Sequence, residues 1–389
     1  MMASSHIYLD NNATMPLRPE ARRAMIAALE CGGNASSVHA EGRYARQVIE
    51  KARRQVGRLV NAPPADVIFT SCGTEANNQV ISSALTRGTG HILVSAVEHP
   101  AVLKVAKASG AQVHVLEVEP DGQVAPQTLA SRLEEIGARK APCPVLVSIM
   151  LANNETGIIQ PIADLARITH EHGGLFHTDA VQGAGKLALD MKALGVDFLS
   201  LSAHKIGGPQ GAGALVARAD VAIEPLILGG GQERSKRAGT ENLSGIAGFG
   251  AAAQIVRENT EEMSLIKELR DLLEDRIQGF DSNCIILGKD VERLDNTCFF
   301  ATPGVKAETL VIALDLDAVA ISAGSACASG KASTSFVPVA MGYDEETAAS
   351  MIRVSLGWQN KAEDIERFID RFSAAVNRMR TQNGAQSAA

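Results

Sequence analysis

The stretch from Asp66 to Ala96, DVIFTSCGTEANNQVISSALTRGTGHILVSA, decides the fold class of this 389-residue chain. Its first run, DVIFTS, is rich in β-branched and aromatic residues and predicts a strand. The run EANNQVISSALTR has the pattern of a helix, and HILVSA then predicts a second strand. A strand–helix–strand unit of this kind is typical of sheets whose strands are mainly parallel.

The same alternation continues on both sides of this stretch, from about residue 60 to residue 220. Further strands are predicted at AQVHVLEV, PVLVSIM, LFHTDA, DFLSLS and GALVAR, and helices at PAVLKVAKA, 126–137 and about 161–172. The pattern therefore predicts an α/β fold with a large, mostly parallel sheet covered by helices on both faces. Ligands of such sheets bind beyond the carboxyl ends of the strands, so the residues that follow each strand are candidate site residues.

The rest of the chain predicts a second, smaller unit. A charged helical connector at 242–280 precedes strands near 283–287, 295–300 and 319–322, the strand SMIRVSL and the amphipathic helix AEDIERFIDRFSAAVNRM. We expect a large domain at 15–258 and a small α+β domain formed by 1–14 and 259–380. The tail TQNGAQSAA, 381–389, is expected to be disordered.

Composition excludes several classes of function. The net charge of −7 and the aromatic content of 4% argue against direct binding of nucleic acid. No apolar run reaches the length of a membrane span, and the first residues do not resemble a secretory signal. The six cysteines form no CxxC pair, so we expect a cytoplasmic protein without a metal site.

Two predicted strand ends carry residues suited to covalent cofactor chemistry. Lys205 follows the strand in SLSAHKIGGPQGAGALV and is held by helix-breaking residues in a loop, where a lysine that loses its proton can form a Schiff base. In LFHTDAVQGAGK the strand ends at Asp179, and Gln182 follows three residues later. A helix cap is the alternative role for Asp179.

Three other strand ends add polar groups to the same edge. FTSCGTEANN places Gly73 and Thr74 at a helix start, which suits a phosphate, although a capping box has the same pattern. VSAVEHPAV provides Glu98 and His99, and ANNETG provides Asn153, Asn154 and Glu155. A lysine, an anion and a phosphate cradle at one edge are what pyridoxal phosphate requires.

A single cysteine, Cys327, lies among small residues in ISAGSACASGK. The motif is not a phosphate-binding loop, because Gly324 and Gly330 are separated by five residues and Ala332 follows the lysine. A buried structural cysteine remains an alternative. The small neighbours instead predict a mobile segment at about 322–333 that carries a reactive thiol.

The chain closely resembles the pyridoxal-phosphate-dependent cysteine desulfurases, which belong to the class-V aminotransferases of fold type I. The resemblance runs from about residue 7 to residue 357, and its most specific motifs are those of Lys205 and Cys327. The segment GSACASG is similar to the longer-loop group that feeds iron–sulfur assembly. The matching stretches are YLDNNAT, GNASSVHAEGR, FTSCGTEANN, EHPAV, NNETGIIQPI, HTDAVQGAGK, SAHKIGGPQGAGAL, GGGQERSKRAGTEN, SAGSACASG and IRVSLG.

The resemblance implies a role for each matching residue. Cys327, Lys205 and His99 would be catalytic: Lys205 binds the cofactor and moves protons, His99 stacks on its ring, and Cys327 attacks the substrate sulfur and becomes a persulfide. Asn154 and Arg353 would hold L-cysteine, with Arg353 on its carboxylate. The cofactor would be bound by Gly73, Thr74, His99, Asn154, Asp179, Gln182, Ser202, His204, Lys205 and, from a second subunit, Thr240.

The resemblance also implies partners and leaves alternatives open. It predicts a homodimer that passes sulfur to an iron–sulfur scaffold or another acceptor protein, with transient contact between Cys327 and iron or a cluster. It does not distinguish iron–sulfur assembly from nitrogen fixation or tRNA thiolation. A selenocysteine lyase, another lyase or aminotransferase of the same fold, and a docking scaffold in a sulfur-transfer complex remain alternatives.

Overall fold

The computed structural model describes residues 6–138, 145–324 and 335–387. None of the helices in these ranges is both long enough and apolar enough to cross a membrane. The strands are β1 Ile7–Tyr8, β2 Val67–Thr70, β3 His91–Ser95, β4 Gln112–Leu116, β5 Leu146–Ser148, β6 Leu175–Asp179, β7 Phe198–Ser202, β8 Gly213–Ala217, β9 Ile285–Ile286, β10 Thr297–Ala301, β11 Val319–Ala320, β12 Ser322–Ala323 and β13 Met351–Ser355. The helices are α1 Pro19–Leu29, α2 Ala40–Leu59, α3 Gly73–Thr86, α4 Pro100–Ala108, α5 Pro126–Glu135, α6 Ile162–Glu171, α7 Met191–Leu194, α8 Leu243–Glu258, α9 Glu262–Phe280, α10 Ala307–Leu316, α11 Phe336–Ala340, α12 Glu345–Ala349 and α13 Ala362–Ser387.

A seven-stranded sheet in the order β2-β8-β7-β6-β5-β3-β4 forms the centre of the molecule. Strand β8 runs antiparallel to both of its neighbours, and all other neighbouring pairs are parallel. Gly213 of β8 pairs with Thr70 on one side and with Ser202 on the other. The ends of β2 and β7 therefore lie at the same edge of the sheet, and the predicted α/β class is confirmed.

The central strands are buried on both faces, which explains why they are apolar almost throughout. In β7, Phe198 packs into the apolar cluster on one face of the sheet, and the next residue, Leu199, packs into the cluster on the other. This alternation follows from the pleat of a strand. In β3, Ile92 and Leu93 divide between the two faces in the same way. Covering helices on both faces leave only the strand ends open to a ligand.

A four-stranded antiparallel sheet, in the order β12-β13-β10-β9, forms the core of the smaller unit. Helices α9, α10 and α13 pack against it. Phe300 of the sheet and Phe368 of α13 both contact the ring of Phe372, with centroid distances of 5.7 and 5.6 Å. The N-terminal strand β1 pairs with β11 in parallel, so the first residues of the chain join this unit.

Three local features differ from the sequence-based prediction. The connector at 242–280 is two helices, because the chain leaves helical geometry at Asn259 between α8 and α9. The strand predicted at 319–322 is two short strands, β11 and β12, with different partners. Helix α13 continues to Ser387 and so includes most of the tail expected to be disordered. Ion pairs from Arg378 to Asp317 and from Arg380 to Asp281 fix the preceding turns of this helix to the small unit.

Candidate active site

A cavity of about 260 Å³ opens at the carboxyl edge of the large sheet. It is lined by residues that follow β2, β3, β5, β6 and β7, together with the segment after β1 and one residue of β13. Ten residues predicted for the site line it: Gly73, Thr74, His99, Asn154, Asp179, Gln182, Ser202, His204, Lys205 and Arg353. Thr240 is not among the residues that line it, and Cys327 lies outside the described residues.

Lys205 is partly buried in a short 3-10 turn directly after β7. Its Nζ donates hydrogen bonds to the backbone carbonyls of Asn12, at 2.5 Å, and Ala13, at 2.8 Å. The turn itself is held by the N-terminal segment, because the amide of Met15 donates to the carbonyl of His204 at 2.9 Å. The N-terminal segment therefore positions the lysine, which the local sequence around Lys205 does not reveal.

Asp179 ends β6 with both carboxylate oxygens hydrogen-bonded. Oδ1 accepts from the backbone amide of Val181 at 3.0 Å, and Oδ2 accepts from Nδ2 of Asn77 at 2.7 Å. The first bond is the local cap that the sequence suggested as an alternative, and the second is a contact between elements. Asn77 was missed by the sequence analysis, although it lies one helical turn after Gly73 and hence on the same face of α3.

His99 caps the N-terminus of α4, where its Nδ1 accepts the backbone amide of Ala101 at 3.1 Å. Burial lowers the pKa of His99, Asp179 raises it, and Lys205 lowers it, with a net shift below the ordinary value. A neutral ring whose Nδ1 accepts a hydrogen bond carries its proton on Nε2. The ring is therefore fixed at the wall of the cavity in one tautomer.

The N-terminus of α3 faces the cavity with backbone amides that have no partner inside the helix. A Cβ atom at Gly73 would lie 2.7 Å from Val181, so only glycine fits at this helix start. Within the described residues the buried Oγ of Ser202 has no hydrogen-bond partner. Burial, and then the charge of Lys205, lower the pKa of His204 to about 4, so its imidazole is neutral. Such a set of neutral donors beside a helix N-terminus suits an anion.

These features test whether pyridoxal phosphate fits the cavity. The cofactor needs an amine for a Schiff base, an anion for its pyridine nitrogen and donors for its phosphate. Lys205 and Asp179 supply the first two, and the partnerless Oγ of Ser202 together with the N-terminus of α3 supplies the third. The residues present therefore fit the cofactor.

Arg353 brings a cation from the small unit to the other end of the cavity. Its guanidinium donates to Oδ1 of Asp10 at 2.6 Å and to the carbonyl of Asn154 at 2.8 Å. Its buried Nε has no partner in the described part of the chain. Asp10 is a further residue that the sequence analysis quoted within a motif but did not assign to the site.

Two buried carboxyls lie next to the cavity residues. Burial, together with the charge of Asp179, raises the pKa of Glu98 to about 8, although hydrogen bonds from Met150 and Ser95 lower it. Burial also raises the pKa of Glu155 to about 7, against the hydrogen bond from Ser335 and the charge of Arg353. Both groups follow the strand ends that the sequence analysis singled out.

Thr240 lies in an exposed segment that ion pairs attach to the large unit. Arg237 Nε donates to Oε1 of Glu75 on α3 at 2.9 Å. Glu233 accepts two hydrogen bonds from the guanidinium of Arg53, at 2.6 and 2.8 Å. The side chain of Glu233 is buried in spite of its left-handed backbone, with φ of 46°, so this contact holds a strained turn in place. Within this segment Thr240 is exposed, and it lines a second, smaller cavity.

The described cysteines are Cys31, Cys72, Cys284 and Cys298, and all four are free. Cys72 lines the cavity beside the start of α3. Burial raises the pKa of Cys284 to about 11, and burial also raises the pKa of Cys298 well above its ordinary value. Neither of these two thiols ionises near neutral pH, so neither is suited to act as a nucleophile. Ser322 and Ala323, at the start of the segment expected to be mobile, form β12, and 325–333 lie outside the described residues.

Comparison with known proteins agrees with this geometry. The family model for aminotransferase class-V matches residues 7–368. A cysteine desulfurase from Sinorhizobium fredii is 42% identical over 383 residues, which cover 96% of this chain and 97% of the relative. Cysteine desulfurase IscS from Dictyoglomus turgidum is 40% identical over 383 residues, covering 96% and 95%. Cysteine desulfurases of this family depend on pyridoxal phosphate.

Solved structures give the same result. The X-ray structure of a NifS-like protein from Rickettsia africae superposes with a TM-score of 0.87 at 36% identity, and the match covers 96% of this chain and 99% of that one. A structure described as SspA in complex with cysteine has a TM-score of 0.78 at 29% identity, with coverage of 90% and 98%. The chain therefore belongs to the aminotransferase class-V family and, within it, to the pyridoxal-phosphate-dependent cysteine desulfurases.

Proposed function

We propose that this enzyme converts L-cysteine to L-alanine, forms a persulfide on Cys327 and passes that sulfur to an acceptor protein. The observation that carries the proposal is the arrangement of Lys205, Asp179 and Arg353 around one cavity. It combines an amine and an anion for the cofactor with a cation for a substrate carboxylate. The names of the relatives, and the cysteine bound in one neighbour, support the substrate class.

Each residue of the cavity has one task in this reaction. Pyridoxal phosphate, when bound, withdraws electrons from the carbon skeleton of the amino acid. Asp179 would accept a hydrogen bond from the pyridine nitrogen, and the N-terminus of α3 would hold the phosphate together with Ser202. Arg353 and Asn154 orient the substrate carboxylate. Lys205 Nζ, close to the carbonyls of Asn12 and Ala13, removes and returns the proton at the substrate α-carbon.

Sulfur transfer requires a thiolate, which Cys327 supplies in our proposal. Its sulfur attacks the sulfur of the bound cysteine, so an S–S bond forms and the C–S bond of the substrate breaks. The electron pair of that bond remains with the substrate β-carbon, which takes up a proton and becomes the methyl group of alanine. The sulfur is left as a persulfide, and a thiol of the acceptor can then remove it.

Two variants test this function. Lys205→Ala should abolish alanine release and the visible absorbance of the bound cofactor. Cys327→Ala should keep that absorbance but form no persulfide, as measured by mass spectrometry of the intact protein after incubation with L-cysteine. Wild-type turnover in Lys205→Ala, or a persulfide on Cys72 in place of Cys327, would contradict the proposal.

We further propose that the acceptor is an iron–sulfur scaffold protein and that the reaction takes place in the cytoplasm. The likeness of GSACASG to the longer-loop desulfurases supports the acceptor. The free cysteines of the described residues support a reducing compartment. Transfer of ³⁵S from L-cysteine to a purified scaffold, with a tRNA-thiolation carrier as the competing acceptor, tests this choice.

We also propose a homodimer in which Thr240 reaches the phosphate site of the partner subunit. The exposure of Thr240 and its absence from the cavity of its own chain support this arrangement. The proposed subunit consists of a large domain at 15–258 and a small domain of 1–14 and 259–380. Sedimentation velocity should find a dimer. Thr240→Val should weaken the binding of pyridoxal phosphate while the protein remains a dimer. A fully active monomer would contradict both the homodimer and the proposed role of Thr240.

A further inference from the structure

Lys186 is a second lysine beneath the cavity, and the proposed mechanism does not use it. It is only 6% exposed and is not among the residues that line the cavity. Its Nζ donates hydrogen bonds to Oδ1 of Asn12 and Oε1 of Gln182, both at 2.8 Å. Gln182 lies four residues before Lys186 in the turns that follow β6, whereas Asn12 comes from the N-terminal segment.

These contacts determine the orientation of the Gln182 side chain. The Lys186 amine has at least two hydrogens in either protonation state, and it donates them to Oδ1 of Asn12 and Oε1 of Gln182, so the amide atom that faces Lys186 is the oxygen of Gln182. The amide nitrogen then lies on the other side, where Nε2 donates to the backbone carbonyl of Asn12 at 3.0 Å. An NH₂ group has two hydrogens, and the second remains available to the cavity that Gln182 lines. A flipped amide would place its oxygen against that carbonyl, which is unfavourable.

The same contacts connect Lys186 to the catalytic lysine through Asn12. The backbone carbonyl of Asn12 accepts from both Gln182 and Lys205, and its side-chain Oδ1 accepts from Lys186 and, at 3.0 Å, from Nδ2 of Asn296. Asn12 is 1% exposed and therefore depends on protein partners for its hydrogen bonds. The buried residue Asn12 thus accepts hydrogen bonds from Lys186, Lys205 and Gln182.

Burial of this amine is costly, which argues against a merely space-filling role. Burial lowers the pKa of Lys186 well below its ordinary value, and the charges of Lys205 and Arg353 lower it further. An apolar side chain of similar length would avoid this desolvation. What an apolar side chain cannot provide is the pair of directed hydrogen bonds to Asn12 and Gln182.

We propose that Lys186 is a positioning residue that fixes the amide of Gln182 and the peptide of Asn12, so that an N–H of Gln182 faces the bound cofactor and the Asn12 carbonyl holds Lys205. The inference rests on the proposed function, because it assigns Gln182 as a donor to the cofactor. Lys186 itself makes no contact with substrate or cofactor in this scheme.

The test compares Lys186→Met with Gln182→Ala and with the double variant. The first readout is the dissociation constant of pyridoxal phosphate, measured by adding the cofactor to the apoenzyme. The second is the pH midpoint at which the visible band of the bound cofactor titrates. If Lys186 acts through Gln182, each single variant should weaken binding about tenfold, and the double variant should be no weaker than the worse single variant. All three should show the same displacement of the midpoint.

Two further variants make the result decisive. Lys192→Met removes an exposed lysine from the nearby helix α7 and should leave both readouts unchanged. Lys186→Gln can still donate one hydrogen bond, so its dissociation constant and midpoint should lie between those of wild type and those of Lys186→Met. It replaces Lys186→Met in the comparison if the methionine variant does not fold. Additive losses in the double variant, or reduced thermal stability with an unchanged midpoint, would overturn the inference. A wild-type protein that binds no pyridoxal phosphate would instead refute the proposed function.

Discussion

Nδ2 of Asn77 lies 2.7 Å from Oδ2 of Asp179, and both residues are buried at the edge of the large sheet. The two residues belong to different elements, α3 and β6, so this bond fixes the carboxylate relative to the helix whose N-terminus faces the cavity. One amide therefore connects the proposed partner of the pyridine nitrogen to the helix proposed to bind the phosphate.

We expect Asn77→Ala to weaken binding of pyridoxal phosphate about tenfold, because a hydrogen bond to a charged group contributes about 1.5 kcal/mol or more. The measurement is titration of the apoenzyme with cofactor, followed by absorbance. Asn283→Ala, an exposed site in the small unit, is the control and should bind normally. Unchanged affinity in Asn77→Ala would show that Asp179 is oriented adequately by Val181 alone.

The Ser202 hydroxyl should act on the phosphate and not on the pyridine ring. We expect Ser202→Ala to weaken binding of pyridoxal phosphate about tenfold and to leave the binding of pyridoxal, which lacks the phosphate, unchanged. Ser82→Ala, on the same helix as Gly73 but outside the cavity lining, provides the control. An equal loss of affinity for both ligands would mean that Ser202 does not act on the phosphate.

Arg353 should determine the affinity for the substrate carboxylate. Arg353→Lys keeps the charge but cannot form two parallel hydrogen bonds to a carboxylate. We expect KM for L-cysteine to rise at least about tenfold, while the affinity for pyridoxal phosphate remains that of wild type. Steady-state kinetics and cofactor titration measure the two quantities. A fall in kcat with KM unchanged would mean that Arg353 acts after substrate binding.

Glu98 should make stability depend on pH. Its pKa is about 8 in the folded protein and 4.5 when exposed, so between these values the folded state binds more protons than the unfolded state. The contribution of Glu98 to stability therefore decreases as pH rises from about 4.5 to about 8. The histidines His177 and His204, whose pKa values are lowered to about 4 from 6.5, act in the opposite direction, but only below about 6.5.

Glu98→Gln keeps the shape of this side chain and removes its charge. We expect the free energy of unfolding of this variant, relative to that of wild type, to increase between about pH 4.5 and about pH 8 and to level off at higher pH. Urea unfolding at several pH values measures the difference. Glu135→Gln, at an exposed helix position, should show no such trend. A difference that is independent of pH would mean that Glu98 does not titrate in this range.

Much of this enzyme could be predicted from local patterns. Strand–helix alternation identified the parallel sheet, and residues after each strand, such as Lys205, Asp179 and His99, were expected at one edge because parallel strands end there together. The bounds of short elements were less accurate. The break at Asn259 and the extension of α13 to Ser387 were not predicted, because the local preferences that set the ends of a helix are weak.

By itself, the sequence determined the class of fold, the family, the cofactor and the set of residues available for chemistry, because these follow from local periodicity and from motifs a few residues long. The tertiary structure alone decided which atoms those residues contact. Asn77 meets Asp179, Arg353 meets Asp10, and Lys186 reaches Asn12, although the members of each pair are more than a hundred residues apart. Hydrogen bonds of this kind depend on strand register and on the packing of distant segments, and no local pattern encodes either.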